Sequence, residues 1–346
     1  MRPALSSQVK ELKKDNERLI FSLADVPPLE FWKRAVEVWD IDGLTAQDCC
    51  DGAKRYVLVA TQWESVWRPK LENDYGLSPY KLHYIGSMLI HGDLSDRWRL
   101  GMHILHSASE LGYTPSTLNL ARLMSTVAAK NSKAVANSLL FQKADARFRE
   151  IVRKGKDPNA LTLQGLIYAG RGQDGPALTA FDNAQRVGAS SGWSKAQQLG
   201  SPAALQETAT ASRGKKDSEP MATTVVRPKR WDWEPSCVLG RGRILLKQGR
   251  GQDAEAAFRR AALELDNAEG YLALAQLLPK DSPQREEFLT KAAISGVTEA
   301  CALLAEVERA KAEQPESDKE QVRMHDRLSR EWSNLAGGTT QAAASL

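Results

Sequence analysis

The chain has 346 residues, of which 42% are hydrophobic, with 47 basic and 43 acidic side chains and a formal net charge of +4 at pH 7. That length and apolar content supply a substantial core, in one extended array or two smaller bodies, while the near balance of charge argues against a nucleic-acid-binding polyelectrolyte. No run of eighteen apolar residues occurs, so no membrane-spanning helix is expected, and the mixed charges of residues 1–20 read neither as a secretory signal nor as a mitochondrial presequence.

In chain order, Val9, Leu12, Leu19 and Ile20 give residues 8–20 an amphipathic helical pattern. A second helix is expected over Leu29–Trp39. A third starts near Thr45, where Asp48 three residues on makes an acidic variant of the capping box, and runs to about Gln62. Trp32, Trp39, Trp63, Trp67 and Trp98 fall before residue 100, and large aromatics at helical spacing most often fill a core. Residues 1–78 therefore read as an N-terminal helical cap. Helix-turn-helix units follow over 79–189: one hairpin at 82–112, a second at 117–151, and a third after Asp157-Pro158, with proline suited to a first helical turn. Residues 190–232, rich in Ser, Thr, Gly and Ala without helical period, read as a flexible basic insertion. Further units occupy 233–313: a hairpin at 235–267, one from Ala268 that is interrupted at Pro279 and resumes near Gln284, and a closing helix from Thr298. The tail, 314–346, holds one more helix at 318–335 and an end, from Gly337, expected to be disordered.

One pattern ties these units together. Gly165, Tyr168, Gly172, Ala177, Phe181 and Ala184 recur with every spacing kept as Gly242, Leu245, Gly249, Ala254, Phe258 and Ala261. Small residues allow two helices to approach, large ones fill the space between them, and Gly172 and Gly249 suit the left-handed residue that ends a helix. The two copies lie 77 residues apart, against about 34 for one such unit, and the excess places the insertion between them. These residues resemble the tetratricopeptide repeat and its relative the Sel1-like repeat. Looser versions occur at Tyr84-Ile85-Gly86 running to Gly112, and at Phe288-Leu289 running through Gly296 to Leu304. The first-helix tryptophan of the family is replaced by Leu161 and Val238, and the terminal proline of the second copy by Asp266. The resemblance implies an all-α fold, an α-solenoid of about five helix-turn-helix repeats behind the N-terminal cap.

Few residues point to chemistry. Gly170-Arg171-Gly172-Gln173-Asp174-Gly175 spells the dinucleotide fingerprint, but that motif needs a preceding strand, and here a helix precedes it. His83, His91, His103 and His106 cluster in one hairpin without Cys-x-x-Cys or His-Glu-x-x-His, so packing is expected rather than metal ligation. Cys49, Cys50, Cys237 and Cys301 read as buried thiols of a reducing compartment. Nucleophile elbow and phosphate loop are both missing, so no catalytic residue, cofactor or metal is expected. Lys215 and Lys216, separated by ten residues from Arg227, Lys229 and Arg230, are spaced as in a bipartite nuclear-import signal, with a solvated linker as the alternative.

In the family resembled, first helices of successive repeats line a groove that takes a peptide or a partner helix. The resemblance assigns that face to Asn159, Thr162, Leu166 and Ala169, then Ser236, Leu239, Arg243 and Leu246, with Lys247 nearby. Interhelical packing is the competing reading for each. The expected function is thus a non-catalytic scaffold, adaptor or assembly factor that binds one or more proteins, in the cytoplasm, with nucleus or mitochondrion as alternatives. An RNA-binding helical array and a mitochondrial complex-assembly factor are the competing functions; the groove lacks the paired polar residues of an RNA code, which disfavours nucleic acid.

Overall fold

Helices begin where the sequence offers caps. Thr45 Oγ1 accepts the Asp48 backbone N–H at 3.1 Å, and the Asp48 carboxylate accepts the Thr45 N–H at 3.1 Å, a reciprocal box ahead of a helix over Ala46–Ala60. Asp157 Oδ1 accepts from Asn159 N and Ala160 N at 2.8 and 3.1 Å, with Pro158 in the first turn of a helix over Pro158–Gly170. The computed structural model describes residues 21–39, 41, 43–60, 67–91, 95–136, 139–190, 229–314 and 318–345. Among these there are fifteen α-helices and no strand, so the fold is all-α. No described helix is long and apolar enough to cross a membrane. The expected helix at 8–20 lies outside the described residues.

The chain divides into two compact units, the first ending at Lys154 and the second running from Gly155 to Ser345. Unit 1 contains α1 (Leu29–Trp39), α2 (Ala46–Ala60), α3 (Lys70–Tyr75), α4 (Pro79–His91), α5 (Ser95–Glu110), α6 (Thr114–Ala136) and α7 (Leu139–Lys154). Short α3 has no apolar period to announce it and was not expected. Helices α4 and α5 meet backbone to backbone: a Cβ on Gly101 would stand 2.9 Å from Gly86 O, and one on Gly86 3.0 Å from Gly101 O. Of the early tryptophans, Trp32 is fully buried and donates from Nε1 to Pro27 O at 3.1 Å. Trp39, Trp67 and Trp98 are half-buried and pack against the apolar cores of the unit, and Trp63 lies outside the described residues.

Unit 2 contains α8 (Pro158–Gly170), α9 (Asp174–Ala189), α10 (Glu234–Lys247), α11 (Gly251–Arg259, extended by a π turn at Arg260–Glu264), α12 (Ala268–Leu277), α13 (Pro283–Ile294), α14 (Thr298–Ala312) and α15 (Lys319–Ser345). Helix α15 runs past Gly337, where disorder was expected; the alanines at 342–344, strong helix formers, extend it. Short turns join α8 to α9 and α10 to α11, and each pair packs along its length, so each is an antiparallel hairpin. The turns are alike. Gly172 (φ +72°) lets Gln173 N donate to Tyr168 O at 2.9 Å, and Gly249 (φ +77°) lets Arg250 N donate to Leu245 O at 2.9 Å. The Gly-x-Gly-x-x-Gly letters therefore form a helix–helix turn.

The repeated glycines and phenylalanines meet. A Cβ on Gly165 would lie 2.5 Å from Phe181 Cε1, and one on Gly242 would lie 2.5 Å from Phe258 Cε1. Ala177, Ala184, Ala254 and Ala261 are fully buried beside them. Phe181 is enclosed a second time, since a Cβ on Gly240 of α10 would stand 2.6 Å from its Cζ. Helix α10 thus packs directly on α8 and α9, and the extra residues between the two copies leave that stacking uninterrupted. Replacing Gly242 by Leu should overpack this contact and destabilise unit 2 by about 1–3 kcal/mol. Thermal denaturation checks it against Gly251→Ala, whose Cβ meets nothing within 4 Å; equal melting of the two variants would rule the contact out as a constraint.

Candidate functional site

Two sets of residues stand apart from ordinary core packing, one in each unit. In unit 2, the first helices α8 and α10 carry the nine positions expected to face a groove. Leu166, Ser236, Arg243, Leu246 and Lys247 are exposed, and Ala169 is half-buried. Asn159, Thr162 and Leu239 are instead interior. Leu239 joins the apolar core. Thr162 Oγ1 donates to Pro158 O at 2.7 Å and accepts from Trp231 Nε1 at 3.3 Å, while Asn159 Oδ1 accepts from Trp233 N at 3.0 Å.

Trp231 explains the difference. Its ring is fully buried and lies on Gly188, where any Cβ would collide with it. It enters from just before α10, inside the span expected to be insertion, and with Trp233 covers the part of α8 around Asn159 and Thr162, leaving Leu166 exposed. Glu234, fully buried, completes the fastening: it accepts from Arg230 N at 2.6 Å and from Arg260 Nη2 at 2.7 Å, and Arg260 Nη1 donates to Gln185 Oε1 at 3.1 Å. Cys237 lies against Phe181 O at 3.5 Å, and burial pushes its thiol up to about 12, so it is inert. The four cysteines are all free and buried.

The exposed cations of this face are answered by acids. Arg243 reaches Glu269 at 2.7 Å and Lys247 reaches Asp174 at 2.7 Å, and below them Arg241 reaches Asp182 at 2.8 Å. Of the expected import signal, Lys215, Lys216 and Arg227 lie outside the described residues; Lys229 pairs with Asp232 at 3.6 Å and Arg230 engages Glu234 through its backbone.

In unit 1, a polar network that the sequence did not announce lies between α2, α5, α6 and α7. Tyr56 Oη stands 2.7 Å from His103 Nδ1 and 2.7 Å from Ser107 Oγ. Arg68 Nε donates to Ser107 Oγ at 2.9 Å and its Nη1 lies 3.1 Å from Glu110. Arg147 Nε donates to Ser109 Oγ at 2.9 Å, and Ser109 Oγ shares a proton with Thr117 Oγ1 at 2.7 Å. Burial raises the Tyr56 phenol above its ordinary range. Burial, with Arg68 and Arg99 nearby, lowers His103 to about 3, and burial alone lowers His83 to about 4. Neutral imidazole and neutral phenol make this a structural hydrogen-bond chain rather than an acid–base pair poised near neutrality. Among the described residues no three His, Cys, Asp or Glu side chains converge as metal ligands.

Neither protein-family models nor curated proteins yield a match to the chain.

Removing the tryptophan should reveal how much the fastening contributes. Trp231→Ala is expected to cost unit 2 about 3–5 kcal/mol, and Trp231→Phe, which chiefly loses the bond to Thr162, nearer 0.5–1.5 kcal/mol. Denaturant unfolding measures both; an unshifted midpoint for the alanine variant would show that the ring fastens nothing.

Proposed function

We propose that the chain is a non-catalytic scaffold or assembly factor, an α-solenoid of tetratricopeptide- or Sel1-like repeats that receives a peptide or helix of another protein on the first-helix face of unit 2. One observation carries this reading: Leu166 and Leu246 are 36% and 43% exposed on that face, in a unit whose neighbouring core is filled to glycine–phenyl contact. Apolar side chains left uncovered on a rigid helical frame suit an amphipathic partner. Arg243, Ser236, Ala169 and Lys247 surround them and would set polarity and register. Because Arg243 and Lys247 already hold acidic partners, the face offers little unpaired charge to a phosphate backbone, which weighs for protein over RNA.

The paired change Leu166→Asp and Leu246→Asp tests the reading. Both sites are exposed, so melting should stay within about 0.5 kcal/mol of wild type in stability. Quantitative affinity purification with mass spectrometry should show specific partners of the full chain depleted at least about tenfold, the loss expected from about 1.4 kcal/mol of binding energy. Undiminished partner recovery with an intact fold would remove this face from the function, and single-stranded RNA binding that weakens steeply with salt would replace the protein partner by a nucleic acid.

A further inference from the structure

The five histidines divide unequally between the units. His91 is exposed on unit 1, but His83, His103 and His106 sit within it, on the facing helices α4 and α5. The close approach at Gly86 and Gly101 holds α4 and α5 together, and of the three rings His83 and His106 are buried while His103 is half-buried. His83 is enclosed by Tyr84 and Tyr113 and meets the Ser116 hydroxyl at 2.9 Å. His103 is half-buried, stacked on Trp67 and bonded to Tyr56, with Arg68 and Arg99 as the charged groups nearby. His106 is fully buried edge-on to Phe141, with Arg147, His103, Arg68 and Lys143 around it and, among the described residues, no hydrogen-bond partner at either ring nitrogen. The carboxylate of the cluster, Glu110, is already held by Arg68, Arg147 and Lys143 at 3.1, 3.8 and 3.9 Å. The charged groups around His103 and His106 are therefore cations, and His83 has aromatic rings and a hydroxyl but no carboxylate to answer an added proton.

We propose that unit 1 is an acid-opened module: below about pH 6, protonation of His83, His103 and His106 separates α4 from the start of α6 and α5 from α2 and α7, and exposes that core, while unit 2 keeps its fold.

The direction follows from linkage. Against an ordinary imidazole value of 6.5, the folded values are lowered to about 4 for His83, about 3 for His103, and well below the ordinary value for His106. The opened chain takes up protons first, so the stabilisation is complete above pH 6.5 and is lost as pH falls towards 4. Between pH 7 and pH 5 each such group raises the opening equilibrium about 25-fold, and three together raise it roughly ten-thousand-fold. Unit 2 carries no comparable arrangement among its described residues. Its histidine, His325, has Nδ1 2.6 Å from the Glu308 carboxylate.

Hydrogen exchange of the full chain, read by peptide mass spectrometry at pH 7 and pH 5 and corrected for intrinsic rates, tests the proposal. Peptides of α4 and α5 should lose protection by several orders of magnitude while those of α10 and α12 hold theirs. In His106→Phe, whose ring keeps the contact with Phe141, the loss should be about 25-fold smaller; His83→Asn, which keeps a polar partner for Ser116, should show a similar reduction. Unit 1 peptides equally protected at both pH values, simultaneous loss in unit 2, or an undiminished loss in both variants would each overturn it.

Discussion

A phenyl ring can lie against a helix backbone only where the helix has no side chain, and unit 2 is organised around that contact. Phe181 rests on Gly165 of its own hairpin and on Gly240 of the next, so one ring sets the spacing within a hairpin and between hairpins at once. Phe258 repeats the first half of the arrangement on Gly242. Contacts of this closeness tolerate no added methylene, which makes hairpin geometry a property of a few positions rather than of the apolar content as a whole. The surface-facing residues are free of that constraint, and it is there that Leu166 and Leu246 remain uncovered.

The two units solve the problem of buried polarity differently. In unit 2 the polar groups Asn159, Thr162, Glu234 and Arg260 form closed partnerships with the segment entering α10. In unit 1 the chain through Tyr56, Ser107 and Arg68 is also satisfied, yet His106 beside it has no hydrogen-bond partner among the described residues, so its burial carries a desolvation cost. A satisfied network fixes a single packing, whereas an unsatisfied group beside one leaves a route by which the surroundings, here the proton concentration, shift the balance.

Much of the helical skeleton was legible in the amino-acid order because it rests on local signals. The Thr45–Asp48 box, Pro158 after Asp157, and glycines at helix ends each act over a few residues. The equivalence of Gly165 with Gly242 was legible because a spacing was kept, although it took the folded chain to show that Gly240 shares in it. The interior position of Asn159 and Thr162 was not legible, since Trp233 and Trp231 reach them across some 70 residues, Trp231 from a segment whose composition reads as linker. Nor was the Tyr56–Ser107–Arg68 chain, whose members come from elements 40 to 50 residues apart without a shared motif. Long-range polar pairing leaves no period in the sequence, and only the fold brings it together.

Trp231 lies on Gly188, next to the end of α9, so two points of the chain some 40 residues apart in sequence are fastened at one place. With both ends fastened at one place, closing the intervening stretch costs free energy that grows only with the logarithm of its length, about 0.6 kcal/mol per doubling. The packing of α10 on α8 and α9 therefore rests on that fastening rather than on the number of residues between those two points. Such a junction is a place where a lineage can lengthen, shorten or replace sequence without renegotiating the helices on either side, and where new chain ends could be opened with the fold already tied shut.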